Sequence, residues 1–246
     1  MLKMTTGIRP PAAPADLLSV RELEGWYGDG HTLHGMEFDV ASGEIVTLLG
    51  RNGAGKTTTL RALMGLLKKR RGSIRFENSE LIDVPSRMIA RRGIGYVPEE
   101  RGIFASLSVR ENLMLPPKIR PGGFEIDEIY SLFPNLAERA SSPGMKLSGG
   151  EQQMLAIARI LRTGARMLLL DEPTEGLAPV IVQQLGRVIG ELKQRGFTVL
   201  LVEQNIRFCS ALADRHYVVE LGRVVDVIDK SEVDGNMDRL NAYLSI

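Results

Sequence analysis

Gly50-Arg51-Asn52-Gly53-Ala54-Gly55-Lys56-Thr57 fits the spacing G-x-x-x-x-G-K-[ST] at every fixed position. It follows the apolar run Ile45-Val46-Thr47-Leu48-Leu49 and precedes a helix-like stretch, the strand–loop–helix context that a phosphate-binding loop requires. Gly50, Gly53 and Gly55 permit the backbone angles that turn successive N–H groups inward toward an anion. A helix beginning near Lys56 adds the positive end of its dipole, and the Lys56 ammonium reaches the β- and γ-phosphates. The Thr57 hydroxyl suits Mg²⁺, and Thr58 adds a phosphate contact. The plain alternative is a glycine-rich turn without a ligand, and a full match in this context outweighs it. The chain therefore reads as a nucleotide-binding protein.

A second signal lies downstream. Met167-Leu168-Leu169-Leu170-Asp171-Glu172 is an apolar strand ending in two carboxylates. In a parallel sheet the ligand crevice lies at the carboxyl ends of the strands, which places both acids beside the phosphates. Adjacent residues leave a strand in different directions, so Asp171 would act on Mg²⁺, directly or through water, while Glu172 reaches the attacking water as base. Alone, an acidic pair at a strand end is ordinary turn chemistry; beside a phosphate loop it reads as catalytic. Leu147-Ser148-Gly149-Gly150-Glu151 is in part a helix capping box, with Ser148 and Glu151 three apart before Met154, Leu155 and Ile157. Two consecutive glycines exceed what a cap needs, and they open the helix N-terminus to a second phosphate-bearing ligand.

The remaining pattern predicts an α/β fold. From Leu17 to Glu44 short alternating segments broken by Gly28-Asp29-Gly30 and Ser42-Gly43 read as antiparallel strands, with Arg75-Phe76-Glu77 as one more. Val109 to Gly144 is helical and loop-rich, an inserted lobe. A helix from about Glu151, the buried strand at Met167, a helix from Val180 to Arg195 and the strand Thr198-Val199-Leu200-Leu201-Val202 then imply a mostly parallel sheet with helices on both faces. Lys68-Lys69-Arg70-Arg71 reads as the last turn of the helix after the phosphate loop, where cations favour the dipole, and Arg91-Arg92 as another solvated end.

Composition narrows the partners. A chain of 246 residues with 43% hydrophobic residues supports one large domain, and a net charge of +1 argues against nucleic acid as the main partner. The single cysteine, Cys209, excludes an internal disulfide. No segment reads as a signal peptide or approaches bilayer-spanning length, so any membrane role would come through a partner. His31, His34 and His216 have no metal-ligand spacing.

The Gly50 to Thr58 loop, LSGGE at 147–151 and LLLLDEP at 167–173 stand in an order and spacing that resemble those of the ATP-binding-cassette (ABC) transporter ATPases, over roughly Leu18 to Val225. The resemblance implies a P-loop NTPase core, an antiparallel β subdomain and an inserted α-helical subdomain. It implies ATP and Mg²⁺, with Gly50, Arg51, Asn52, Gly53, Ala54, Gly55, Lys56, Thr57 and Thr58 around the phosphates and Tyr27 stacked on adenine. It also implies a head-to-tail pair of cassettes, in which Ser148, Gly149, Gly150 and Glu151 serve the partner's nucleotide. The single domain would run over 17–246 behind a flexible tail at 1–16. Within it the β subdomain and core would take about 17–95 and 160–230, the helical subdomain about 96–159 and a C-terminal segment 231–246.

More narrowly, Thr32 to Gly35, Gly43 to Gly50, Ser148 to Arg159 and Leu201 to Asn205 are similar to the second ATPase subunit of branched-chain amino acid importers, the LivF-like group. DEPTEGLAP at 171–179 is similar also to urea and amide importer ATPases. Two switch positions depart from the general cassette pattern: Glu99 replaces the usual metal-side glutamine, and Gln204 the γ-phosphate-sensing histidine. The resemblance thus implies Thr57, Glu99 and Asp171 on the metal, and Glu172, Lys56 and Gln204 in catalysis. The function it implies is an ATP-hydrolysing importer subunit on the cytoplasmic face of the inner membrane, with two permeases, a second cassette and, indirectly, an external binding protein. A regulatory ATP-binding half beside a more active paralogue, and a non-transport cassette protein, are the alternatives.

Overall fold

The computed structural model describes residues 16–244. The expected tail lies outside the described residues except for Asp16, which already belongs to the first strand. In chain order the elements are β1 (Asp16–Tyr27), β2 (Gly30–Ala41), β3 (Ile45–Leu49), α1 (Lys56–Leu63), β4 (Lys69–Phe76), β5 (Ser79–Glu80), α2 (Ser86–Arg91) and β6 (Ile94–Val97). There follow α3 (Val109–Met114), α4 (Ile126–Leu132), α5 (Pro134–Glu138), α6 (Gly149–Arg162), β7 (Met167–Asp171), α7 (Pro179–Gln194), β8 (Thr198–Glu203), α8 (Ile206–Leu212), β9 (Arg215–Glu220), β10 (Arg223–Asp229) and α9 (Met237–Leu244).

Two sheets form. The antiparallel layer has four strands in the order β2-β1-β4-β5, and the larger sheet has six in the order β10-β9-β3-β8-β7-β6. In the larger sheet β3 pairs in parallel with β8 and β9, β7 with β8 and β6 with β7, while β10 alone runs antiparallel. Every residue of β3, β7 and β8 is buried, as expected for parallel strands covered on both faces.

The period of two in a strand separates the core into halves. Ile45, Leu49, Leu168, Leu170, Val199 and Leu201 join the helices α3 to α8 on one face. Val46, Leu48, Met167, Leu169, Leu200 and Val202 join α1 and the antiparallel layer on the other. Asp171 follows Met167 and Leu169 in that alternation, so its carboxylate is delivered to the face where α1 begins.

One expectation needs correction. Lys68 to Arg71 do not finish a helix: α1 stops at Leu63, Gly65 at φ 69° turns the chain, and β4 starts at Lys69 and pairs with Trp26, Gly25 and Glu24. The Arg70 guanidinium donates to the carbonyls of Ile82 (2.7 Å), Leu81 and Val84 (both 3.1 Å) and to that of Ala62, fastening the layer to the end of α1. The helical subdomain expected at about 96–159 adjoins β6 at one end and runs into α6 at the other. Residue 96 lies within β6, which hydrogen-bonds to β7, and α6 continues to Arg162. The buried Arg162 explains the extension, because its Nε donates to Leu113 O (2.9 Å) and its Nη1 to Phe124 O (3.4 Å), tying α6 to the rest of the lobe.

On neighbouring strands β9 and β3 of the larger sheet, the buried His216 ring shares a 2.7 Å hydrogen bond between Nδ1 and Thr47 Oγ1, and its Nε2 has no partner among the described residues. Burial pushes this imidazole down to about 4, with Lys230 acting in the same direction and Asp214 against it. An unfolded chain takes up that proton near pH ~6.5, so folding stability declines as pH falls through the interval from there to about 4. The loss should reach at most about 3 kcal/mol. Urea unfolding at pH 7 and pH 5 measures it, and His216→Gln should flatten this part of the profile; an unchanged slope in that variant would assign the loss to other groups.

Candidate active site

Three strand ends meet at one level of the larger sheet. Leu48 of β3 and Asp171 of β7 both pair with Val202 of β8, so the loop after β3, the acidic pair after β7 and Gln204 after β8 open into one crevice. The loop is fitted closely against its neighbour. A Cβ at Gly50 would stand 2.3 Å from Val219 O, and Gly55 caps α1 at φ 107°, a conformation that favours glycine. The β9–β10 turn supports it from behind, Gly222 N donating to Ala54 O at 2.8 Å.

The buried Lys56 folds back over the loop. Its Nζ donates to Gly50 O at 2.7 Å and Arg51 O at 3.0 Å and lies 3.3 Å from Glu172 Oε1. Glu172 itself holds a left-handed φ of 43°, a conformation that costs a non-glycine residue on the order of 1 kcal/mol and is fixed here by its N–H donating to Val202 O. Gln204 closes the constellation, its Nε2 donating to Asn52 Oδ1 at 2.7 Å and to Glu172 Oε2 at 2.9 Å.

Lys56, Asn52, Gly53, Gly55, Thr57, Thr58, Glu99 and Glu172 line one cavity of about 420 Å³, together with Thr32 and Glu175. A larger groove of about 910 Å³ runs between α7 and α8, but it contains none of the loop. Chemistry, rather than size, selects the smaller one. Thr57 Oγ1 donates to Asp171 Oδ1 at 2.9 Å, so a hydroxyl and a carboxylate converge at the start of α1. Glu99 is exposed and hydrogen-bonds to neither. Among the described residues no group of three His, Cys, Asp or Glu is arranged to hold a metal ion by itself. A hydroxyl and one carboxylate beside a phosphate loop fit Mg²⁺, which keeps waters and phosphate oxygens rather than an all-protein cage.

The carboxylates titrate in opposite directions. Burial raises Glu172, but its hydrogen bond with Glu175, the charge of Lys56 and the Gln204 amide outweigh this and hold it below the usual value. Glu175, sharing that hydrogen bond and facing the Glu172 charge, is pushed up to about 7. Burial raises Asp171 although Thr57 and Tyr96 both donate to it. The buried Glu203 is also raised by burial, against hydrogen bonds from Thr174 N–H (3.0 Å), Thr174 Oγ1 (2.7 Å) and the Gln204 and Asn205 N–H groups. It thereby locks the end of β8 to the segment after Glu172.

Other expected residues stand apart. Tyr27, 47% exposed at the end of β1, accepts from Arg61 Nη1 at 3.5 Å and does not line the cavity, while Trp26 stacks on His31 with centroids 4.4 Å apart. Ser148 caps α6 in a full capping box with Glu151 and is not among the residues lining the cavity. Gly149 lies against the Arg101 guanidinium, and Gly150 has a packing reason, since a Cβ there would come within 2.5 Å of Ile181 on α7. Tyr96, Glu175 and Glu203 had drawn no role from the sequence. Only Glu203 carries a signal there, an acid closing an otherwise apolar strand.

A sequence model of the ABC transporter family matches residues 33–175. The chain belongs to the ABC transporter family. The branched-chain amino acid transport ATP-binding protein BraG of Pseudomonas aeruginosa is 46% identical over 85% of this chain and 91% of its own length. The lipopolysaccharide export ATP-binding protein LptB of Escherichia coli K12 is 36% identical over 85% of this chain and 88% of its own. Among solved structures, a nucleotide-free ATP-binding cassette superposes with a TM-score of 0.82 over 94% of this chain and 99% of that one, at 22% identity, a likeness of fold. The chain is thus an ABC ATPase, with the core, antiparallel layer and helical subdomain of a cassette.

Removing the Lys56 ammonium deletes the one buried cation of the crevice. Lys56→Ala should raise the Kd for ATP roughly 10- to 100-fold, the scale of a lost charge-assisted bond. Isothermal titration calorimetry reads this, and wild-type affinity would remove Lys56 from the phosphate site.

Proposed function

We propose that this chain is the ATP-hydrolysing subunit of an importer for branched-chain amino acids or related small amides. The observation that carries the hydrolytic reading is Glu172, placed after β7 within 3.3 Å of the loop lysine and lining the same cavity as Thr57, whose hydroxyl donates to Asp171. The cargo class rests on the likeness to BraG, at 46% identity.

In the resting cassette Glu172 is held by Lys56 and Gln204. The γ-phosphate of ATP offers Lys56 a stronger anionic partner, and Asn52 and the loop N–H groups receive the rest of the phosphate chain. Glu172, released from the ammonium, takes the proton of the attacking water as it adds to phosphorus and ADP leaves. The Gln204 amide donates a neutral hydrogen bond to a γ-phosphate oxygen; unlike histidine it cannot become a cation. Thr57 and Asp171 would hold Mg²⁺ with Glu99 beside them, and the ion would supply charge compensation across the phosphates. Tyr27 would stack on adenine.

The signature at 148–151, which does not line its own cavity, suits a head-to-tail pair in which Ser148, Gly149, Gly150 and Glu151 meet the nucleotide of a second cassette. No helix among the described residues is long and apolar enough to cross a membrane, so movement would pass to two permease subunits, with this chain peripheral on the cytoplasmic face and a binding protein delivering cargo outside. The uncharged Gln204 favours one second reading, a slower, regulatory half beside a more active paralogue.

Reconstitution with permeases and partner cassette tests the proposal. Leucine-loaded binding protein should stimulate the ATPase, and Glu172→Gln should lower turnover by roughly 100-fold or more, the share of a general base, while an ATP-dependent cassette dimer accumulates on size-exclusion chromatography. Undiminished turnover would move the base elsewhere. With the partner site disabled, Gln204→Ala should lower the remaining rate and Gln204→His should retain or raise it; no change would favour the regulatory half.

A further inference from the structure

Asp171 has two carboxylate oxygens and almost no solvent, being 1% exposed. Oδ1 accepts from Thr57, as described. Oδ2 accepts from the Tyr96 hydroxyl at 2.9 Å, a contact between residues 75 positions apart. Tyr96 reaches it because β6 is the edge strand beside β7: it pairs opposite Leu169, on the same face of the sheet as Asp171, and leans toward the strand end. From the other side the hydroxyl meets the Arg61 guanidinium of α1, which also contacts Tyr27 Oη at 3.5 Å and Glu100 at 3.8 Å.

We propose that Tyr96 is a positioning residue for the metal-side carboxylate, clamping Asp171 Oδ2 so that Oδ1 stays turned toward Thr57 and the phosphate loop. The proposal rests on the reading of Thr57 and Asp171 as the Mg²⁺ residues. A buried carboxylate with one oxygen unpartnered can rotate or draw in water, and either takes Oδ1 from its place; outer partners of metal ligands act by preventing this. Thr57 alone cannot do so, because its hydroxyl is the group that would itself turn to the ion. Tyr96 lies three residues before Glu99, so the same strand that leads to Glu99 also sets the carboxylate.

The test is the gain in ATP affinity that Mg²⁺ brings, measured by calorimetry on the full chain as the ratio of Kd in EDTA to Kd with Mg²⁺. Tyr96→Phe should leave the Kd in EDTA unchanged and cut the Mg²⁺-dependent gain roughly tenfold or more, the usual cost of losing an outer partner of a metal ligand. Its thermal midpoint without nucleotide should stay close to that of wild type, and excess Mg²⁺ should restore much of kcat. Tyr96→His, which keeps a ring N–H donor, should retain part of the gain, and it decides the matter if the phenylalanine variant does not fold. A wild-type gain in Tyr96→Phe, or an equal loss in both variants, would overturn the proposal. Asp171→Asn separates the two levels: if it also leaves the gain intact, the metal reading itself fails, whereas a loss there with none in Tyr96→Phe refutes only the clamp.

Discussion

A buried ammonium organises this crevice. Lys56 Nζ is satisfied by two carbonyls of the loop after β3 and by Glu172 after β7, partners from two different parts of the sheet. Removing a lysine from water is costly unless its charge is matched and its protons are accepted, so the loop after β3 and the acid after β7 are held to one another by that need. Neither would keep its place alone: Glu172 sits in a left-handed backbone conformation, and the loop presents inward-facing polar groups. The parallel register of β3, β8 and β7 supplies the common level at which these groups meet.

In the proposed mechanism the same contact restrains the base until ATP binds. A carboxylate already hydrogen-bonded to Glu175 and paired with an ammonium and an amide has little proton affinity to offer water, and its lowered titration expresses those partners together. An incoming polyphosphate competes for Lys56 more strongly than a single carboxylate does. Binding and activation of the base are then one event, and the energy of phosphate binding is what frees Glu172. Glu99, Glu172 and Glu175 line the crevice around one lysine, with Asp171 bonded to Thr57 beside it, an acidic set that a divalent cation arriving with the polyanion would offset.

Much of this was legible in the chain, for a physical reason. The phosphate loop, the signature and the strand ending in Asp171-Glu172 are contiguous, and each carries its own backbone logic of glycines, caps and apolar runs. What stayed hidden depends on contacts between distant residues. Tyr96 meets Asp171, and Glu203 meets Thr174, only after β6, β7 and β8 have paired. The Lys68 to Arg71 run looks like a helix end by charge, yet it becomes a strand because Gly65 turns the chain early and Arg70 finds four carbonyls. Gly150 reads as an opening for a ligand, but the approach of Ile181 across the interface of α6 and α7 is reason enough for a missing side chain there.

The most direct measurement is a crystal structure of the chain with Mg²⁺ and a non-hydrolysable ATP analogue. The account predicts that Lys56 Nζ leaves Glu172 for the terminal phosphate, the pair opening from 3.3 Å to beyond about 4 Å, with the Gln204 amide withdrawn from Asn52. Nucleotide bound in the loop while Lys56 and Glu172 remain paired would contradict it.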